Sequence, residues 1–221
     1  VLQYAQLLDK PDLIAWIEQE VAFPSSMVDR LVPATSPAQR EQISQLTGLH
    51  DAWPVITEPF SQWVIEDNFC DGRPDFASHG VELVTDVKPF EDMKLRLLNG
   101  SHSVLAYLGS LAGYQTVAAA IACPELRQLI DQMMRLEIVP TLDMPAAQLD
   151  AYCTALLKRF ANPGLQHLTQ QIAMDGSQKI PQRLLATIRA ARCLGLSCER
   201  LLLGVACWVR YVAGVDEHNR P

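Results

Sequence analysis

The sequence contains no Gly-x-Gly among its 11 glycines. Neither the dinucleotide-binding fingerprint nor a phosphate-cradling P-loop therefore lies in this chain. His-Glu-x-x-His and Gly-x-Ser-x-Gly are absent too, which removes the two commonest signatures of metallopeptidases and serine hydrolases. The six cysteines, Cys70, Cys123, Cys153, Cys193, Cys198 and Cys207, include no Cys-x-x-Cys and have no histidine at ligand spacing. No metal site is expected, and the thiols read as buried, reduced side chains of a reducing cytoplasm. Positive charge is also scarce. Eighteen Lys and Arg against 25 Asp and Glu leave a net charge of -7, with no basic cluster to offset it, so a nucleic-acid partner is excluded. No apolar run approaches the ~20 residues that span a bilayer. The longest, from Leu201, is broken by Gly204 and ends at Arg210. With no signal peptide visible, a cytoplasmic protein with no membrane partner is expected.

What is present is an ordinary globular balance, 49% hydrophobic and 19% charged over 221 residues, enough for one large domain or two small ones. Residues 1–8 read as an amphipathic helix already under way and 214–221 as a polar turn, so the chain reads as an internal piece of a longer protein. Pro11-Asp12 opens a helix through Glu20, and Ser36-Pro37-Ala38-Gln39 is a capping-box-like start for another that ends near Gly48. Trp63 and Ile65, then Val81, Leu83, Thr85 and Val87, alternate with polar neighbours and predict two short strands, with Asp71-Gly72-Arg73-Pro74 as a turn between them. From Pro89 the pattern is helical almost without relief. Pro89, Pro124, Pro145, Pro163 and Pro181 each precede a helical stretch. Ser197 reads as the cap of a last helix, apolar nearly all round from Leu201 to Val212 and so placed at a domain centre. The fold class is mainly α: a mixed α/β segment over 1–85, then a helical domain over 86–221.

One segment is not explained by folding alone. Lys94-Leu-Arg-Leu-Leu-Asn99-Gly-Ser-His102 places Asn99 about 140° and His102 about 80° round an α-helix from Lys94. All three then share one half of the helix. Leu98, Leu105 and Leu108 fall within roughly 40° of Lys94, so the lysine emerges from the apolar arc. Asn99-Gly100-Ser101 is also a poor helix interior. Two readings stand side by side. In one, Lys94 snorkels past its leucines and His102 is a satisfied core histidine. In the other, Lys94 is a desolvated general acid/base beside an amide and an imidazole that orient a substrate oxygen.

Lys94-x-x-x-x-Asn99-x-x-His102 resembles the signature of the polyol-specific long-chain dehydrogenases, the mannitol dehydrogenase family. Further blocks look like that family in the same order: Phe23-Pro-Ser-Ser-Met-Val-Asp29-Arg30, Gln62-Trp-Val-Ile-Glu-Asp-Asn68, and Gln171-Ile-Ala-Met-Asp-Gly-Ser-Gln-Lys179. Gly204 to Asp216 also looks familiar. The Gln171 block and the Pro-Gln-Arg after it look most like the uronate-reducing branch, since the mannitol dehydrogenases have an arginine where this chain has Gln171.

The resemblance implies an N-terminal Rossmann domain that binds NAD, lying largely upstream of this chain, with residues 1–85 as its tail. It implies a helical domain similar to the C-terminal domain of 6-phosphogluconate dehydrogenase over 86–221. It further implies an NAD-dependent, metal-free interconversion of a keto-uronate and a sugar acid, such as fructuronate and mannonate. A neutral polyol as substrate, or a helical association module without catalysis, is the alternative. Residue by residue, it makes Lys94 the acid/base, Asn99 a donor to the reacting oxygen and His102 a positioning group. Glu91 would gate proton exit, Gln171 and Lys179 would contact substrate, and Asp29 would lie in a block that faces the nicotinamide.

Overall fold

The computed structural model describes residues 1–214. In chain order the elements are α1 (Leu2–Leu7), α2 (Pro11–Glu20), β1 (Ser26–Asp29), α3 (Pro37–Thr47), β2 (Gln62–Glu66), β3 (Glu82–Val84) and α4 (Lys88–Met93). A π-helical stretch, Lys94–Gly100, leads into α5 (Ser101–Leu111), and α6 (Val117–Ala122) and α7 (Pro124–Gln132) follow. After a second π-helical stretch, Met133–Ile138, come α8 (Ala146–Phe160), α9 (Thr169–Ala173) and α10 (Gly176–Ile180). A third, Pro181–Leu185, precedes α11 (Ala186–Cys193) and α12 (Glu199–Val212). The described chain is mostly helical, with one small sheet. No described helix is long and apolar enough to cross a membrane.

The chain divides into two compact units. The first joins Val1–Asp29 to Ser61–Phe90. It holds a three-stranded sheet in the order β1-β2-β3, with β1 antiparallel to β2 and β2 parallel to β3. Met27, Val64 and Val87 form its core, with Val84 and Phe90 against them. Of these strands β1 is additional to the two that alternation predicts. In β2 the neighbours Val64 and Ile65 are both buried while Trp63 lies exposed, its indole nitrogen donating to Ser26 Oγ at 2.8 Å.

The second unit joins Arg30–Phe60 to Glu91–Pro221. The Ser36 side chain accepts from Gln39 N while the Gln39 side chain accepts from Ser36 N, so the predicted capping box is formed, and α3 closes on Gly48 at φ 68°. In α5 every residue from Ser101 to Tyr107 is buried, and α6, α7, α9 and α12 pack against it.

The end of the chain departs from expectation. Ser197 does not cap α12; the preceding residue of that helix is Cys198, without a side-chain cap bond. The free N–H groups of Arg200 and Leu201 donate instead to the buried Glu137 carboxylate, at 3.0 and 2.9 Å. A carboxylate at a helix N-terminus meets both orphan donors and the positive end of the dipole. Nor is α12 buried all round. Leu201, Gly204 and Cys207 face inward, whereas Leu202, Leu203, Val209 and Val212 are exposed. Gly204 is needed on the inner face, because a Cβ there would lie 2.5 Å from Val104 Cγ2. Pro163 opens only a three-residue 3₁₀ turn, and Pro181 sits inside a helical run rather than before one. Of the thiols, Cys153, Cys198 and Cys207 are buried while Cys70 and Cys193 are exposed. Asp216 and the polar turn at 215–221 lie outside the described residues.

A buried ion pair ties the 30–60 segment to α8. Arg159 donates to Glu58 at 2.8 Å, and both side chains are almost wholly buried. Glu58 Oε1 also accepts from Leu31 N at 2.7 Å, and the Arg159 guanidinium lies 4.0 Å from the Phe60 ring centre. Removing one partner strands the other charge in the interior. Glu58→Ala should lower the unfolding free energy by about 3–5 kcal/mol, and pairing Glu58→Leu with Arg159→Met should restore most of it. Urea midpoints measure both variants, and an unchanged midpoint for Glu58→Ala would refute this account of the segment.

Candidate active site

The segment around Lys94 is helical, but its winding is not the α-helix on which the sequence angles rest. Over Lys94–Gly100 the backbone is π-helical. Bonds from i to i+5 bring residues five apart roughly into line, so Asn99 falls one turn beyond Lys94 on the same side instead of about 140° away. His102 follows Asn99 by three residues in α5, which again keeps it on the same face. The insertion thus draws the three residues into a row. Lys94 and Asn99 are half-buried, while Leu98 and His102 are buried.

The glycine in this row has a packing reason. A Cβ on Gly100 would lie 3.3 Å from the Arg183 carbonyl oxygen, because the Lys94–Gly100 turn packs on the Pro181–Leu185 turn. Two π-helical turns therefore meet, and π insertions of this kind are common at functional sites. Pro181 lacks the N–H that an α-helix would bond, which accounts for the second of them. Thr187 Oγ1 donates to the same Arg183 carbonyl at 3.0 Å.

His102 stacks on Phe160 with ring centres 5.3 Å apart, and His167 meets it edge-on at 4.8 Å. His102 Nε2 and His167 Nδ1 are both buried with no hydrogen-bond partner among the described residues. Leu31, Arg159 and Asn162 line the same small cavity. Desolvation, above all, holds His102 well below the usual 6.5, and the charges of His167, Arg183, Arg159 and Lys179 push the same way. Desolvation lowers His167 as well. A buried imidazole kept neutral can donate from one nitrogen and accept at the other, which suits a substrate hydroxyl.

The remaining predicted residues divide between the units. Glu91 is exposed, in the first turn of α4. Gln171 is exposed on α9. Lys179, on α10, is half-buried and donates to Met174 O at 2.5 Å and Ile172 O at 3.4 Å. Its pKa is lowered by desolvation and by Arg183, with Asp175 opposing. Asp29 belongs to the first unit, buried at the end of β1. The other six all lie in the second.

Sequence reasoning did not single out His167, or Arg183 beyond its place in the Pro-Gln-Arg block. Arg183 Nη1 donates to Ser103 Oγ at 3.1 Å, and burial works against its charge. No group of three His, Cys, Asp or Glu able to hold a metal ion occurs among the described residues.

The depressed His102 value has a pH consequence. Its folded pKa lies below its unfolded value near 6.5, so the unfolded chain binds the extra proton. The contribution to stability is full above about pH 6.5 and is lost as pH falls toward the folded value. Between about pH 7.5 and 5.5 the urea midpoint should therefore drop, and His102→Gln should drop less. Equal drops in the two proteins would show that His102 is not buried neutral.

Comparison with known proteins adds a family. Residues 86–221 match the mannitol dehydrogenase C-terminal domain, and residues 2–78 match the mannitol dehydrogenase Rossmann domain. D-mannonate oxidoreductase of Escherichia coli (strain K12) is 54% identical over 220 residues, covering 99% of this chain and 45% of the relative. A mannitol 2-dehydrogenase of Aspergillus niger is 44% identical, over 95% of this chain and 44% of its own length. The solved structure of Pseudomonas fluorescens mannitol 2-dehydrogenase, a ternary complex with NAD and D-mannitol, matches with a TM-score of 0.87 at 41% identity. That match covers 99% of this chain and 44% of the other. The chain thus spans less than half the length of these relatives.

Proposed function

The chain belongs to the mannitol dehydrogenase family, and from this premise we propose that it is part of an NAD-dependent oxidoreductase interconverting a sugar acid and its keto-uronate. Residues 1–85 would be the tail of the cofactor-binding domain and 86–221 the helical substrate domain, with the C-terminal domain of 6-phosphogluconate dehydrogenase as its relative in architecture. The cytoplasm is the proposed location, in keeping with the free thiols. The observation that carries the reading is the row formed by Lys94, Asn99 and His102 along a π-wound turn of a family helix. Substrate charge rests on the 54% identity to D-mannonate oxidoreductase and on Gln171, where the mannitol dehydrogenases carry an arginine.

NAD supplies the hydride acceptor. These residues offer no glycine-rich phosphate cradle, so its pyrophosphate would be held by a part of the protein beyond them, and Asp29 is this chain's candidate on the nicotinamide side. Lys94 takes the hydroxyl proton as the hydride departs, and returns it to the alkoxide in reduction. Asn99 donates its amide N–H to the reacting oxygen, stabilising charge that grows there. His102, neutral and fixed between Phe160 and His167, orients a neighbouring hydroxyl. Glu91, exposed one turn before Lys94, passes the proton to water. Lys179 and Gln171 contact the substrate.

In the full-length enzyme Lys94→Ala should cut turnover by about 10²–10⁴-fold with NADH affinity retained. Arg96→Ala should do much less, since Arg96 anchors the helix by donating to Thr141 O and Oγ1 at 2.8 and 3.1 Å. A Lys94→Ala variant with wild-type turnover would overturn the acid/base assignment. Substrate class is tested separately by NADH oxidation. Fructuronate should give a higher kcat/KM than fructose, and the reverse order would point to the polyol branch.

A further inference from the structure

The second unit holds several half-buried or buried arginines, and four of them have a carboxylate. Arg159 has Glu58, Arg200 has Glu137 at 3.1 Å, Arg135 has Asp131 at 2.7 Å, and Arg96 has Asp92 at 3.8 Å. Arg183 differs. Its guanidinium donates to a neutral hydroxyl, Ser103 Oγ, and no carboxylate among the described residues pairs with it. Its neighbour in charge is another cation, Lys179, one turn earlier, whose own nearest carboxylate is the exposed Asp175 at 3.9 Å.

An unneutralised cation held partly out of water is costly, and an apolar side chain of similar length would fill the space at less cost. Its backbone, moreover, is fixed against the candidate active site, where Gly100 lets the Lys94–Gly100 turn approach the Arg183 carbonyl. Both Arg183 and Lys179 bear on His102 electrostatically. Two adjacent cations suit an anion, and the planar fork of a guanidinium matches a carboxylate with two parallel N–H···O bonds.

We propose that Arg183, with Lys179 beside it, receives the carboxylate of a sugar-acid substrate and so sets the preference for charged over neutral substrates. This rests on the oxidoreductase reading above and gives it a specificity-determining residue. Ser103 holds the fork from the side opposite the substrate. The hydroxyl to be oxidised lies at the Lys94–Asn99–His102 row, and the carboxylate lies toward the Pro181–Leu185 turn.

The test uses the full-length enzyme with D-mannonate and D-mannitol. Arg183→Met should lower the ratio of kcat/KM for mannonate to that for mannitol on the order of 10–100-fold, chiefly through KM for mannonate. Arg183→Lys, which keeps the charge but not the fork, should fall between. Arg183→Gln serves if the methionine variant does not fold, folding being judged by circular dichroism and NADH affinity. An unchanged ratio, or an equal loss on both substrates, overturns the proposal, the second outcome marking Arg183 as a packing residue. Calorimetric titration of mannonate separates this from the reading it rests on. A wild-type protein that lacks dehydrogenase activity yet binds mannonate in an Arg183-dependent way refutes the oxidoreductase reading alone. Equal mannonate binding by wild type and Arg183→Met refutes the carboxylate site alone.

Discussion

The Glu58–Arg159 pair is the constraint on which the helical unit is arranged. Its partners lie 101 residues apart, and Glu58 accepts simultaneously from the Arg159 guanidinium and the Leu31 backbone. The pair therefore fixes α8 and the whole 30–60 excursion at one register. Phe160, next to Arg159, is then set against the face of His102, and Leu31 forms part of the wall beside it. A fully buried ion pair adds little net stability over an apolar substitute, because desolvation offsets most of its Coulomb gain. Its effect here is geometric: with Glu58 gone, the Arg159 charge is stranded in the cavity wall that it shares with His102.

Winding is the second constraint. A π turn inserts an extra residue in a helix and rotates everything after it relative to everything before. Around Lys94–Gly100 this brings a lysine, an amide and an imidazole to one side while α5 remains buried on nearly every face. Such an insertion weakens the local backbone hydrogen bonds, and tertiary contacts must compensate. Gly100 against the Arg183 carbonyl supplies one of them, and Thr187 Oγ1 donates to the same carbonyl. The two π turns are thus mutually supporting, and Arg183 is held at their junction.

Much of this was legible in the residues, and the illegible part has definite causes. Local chemistry was readable where it acts locally: the Ser36–Gln39 capping box, the Pro11 and Pro124 helix starts and the turn at Gly48 all formed. The helix carrying Lys94, Asn99 and His102 was legible, but its π winding was not, because winding leaves composition and apolar content unchanged. Strand β1 is not legible, since four residues with one exposed valine carry little period. The α12 errors share a cause. Hydropathy reports that Leu202, Leu203, Val209 and Val212 are apolar, not whether anything covers them, and a cap supplied by Glu137 from 63 residues away cannot be read beside Ser197. The Glu58–Arg159 pair is the extreme case, two ordinary charged residues with no local sign that they meet.

The sign of the whole chain is a poor guide to the sign of its site. A net charge of -7 disfavours an anionic substrate at long range. At physiological ionic strength, however, exposed charges are screened over ~8 Å, so most of the acidic surface contributes little at the Lys94 row. Groups held partly out of water are screened much less. Around His102 these are Arg159, already neutralised by Glu58, and then Lys179 and Arg183, which no buried carboxylate balances. His102 and His167 add no charge, because desolvation keeps both imidazoles below their usual range. Besides Lys94 in the row itself, the local field is therefore set by two cations four residues apart on one helical run. A neutral polyol would leave both uncompensated, whereas the carboxylate of the sugar acid proposed above would offset one of the two charges on binding.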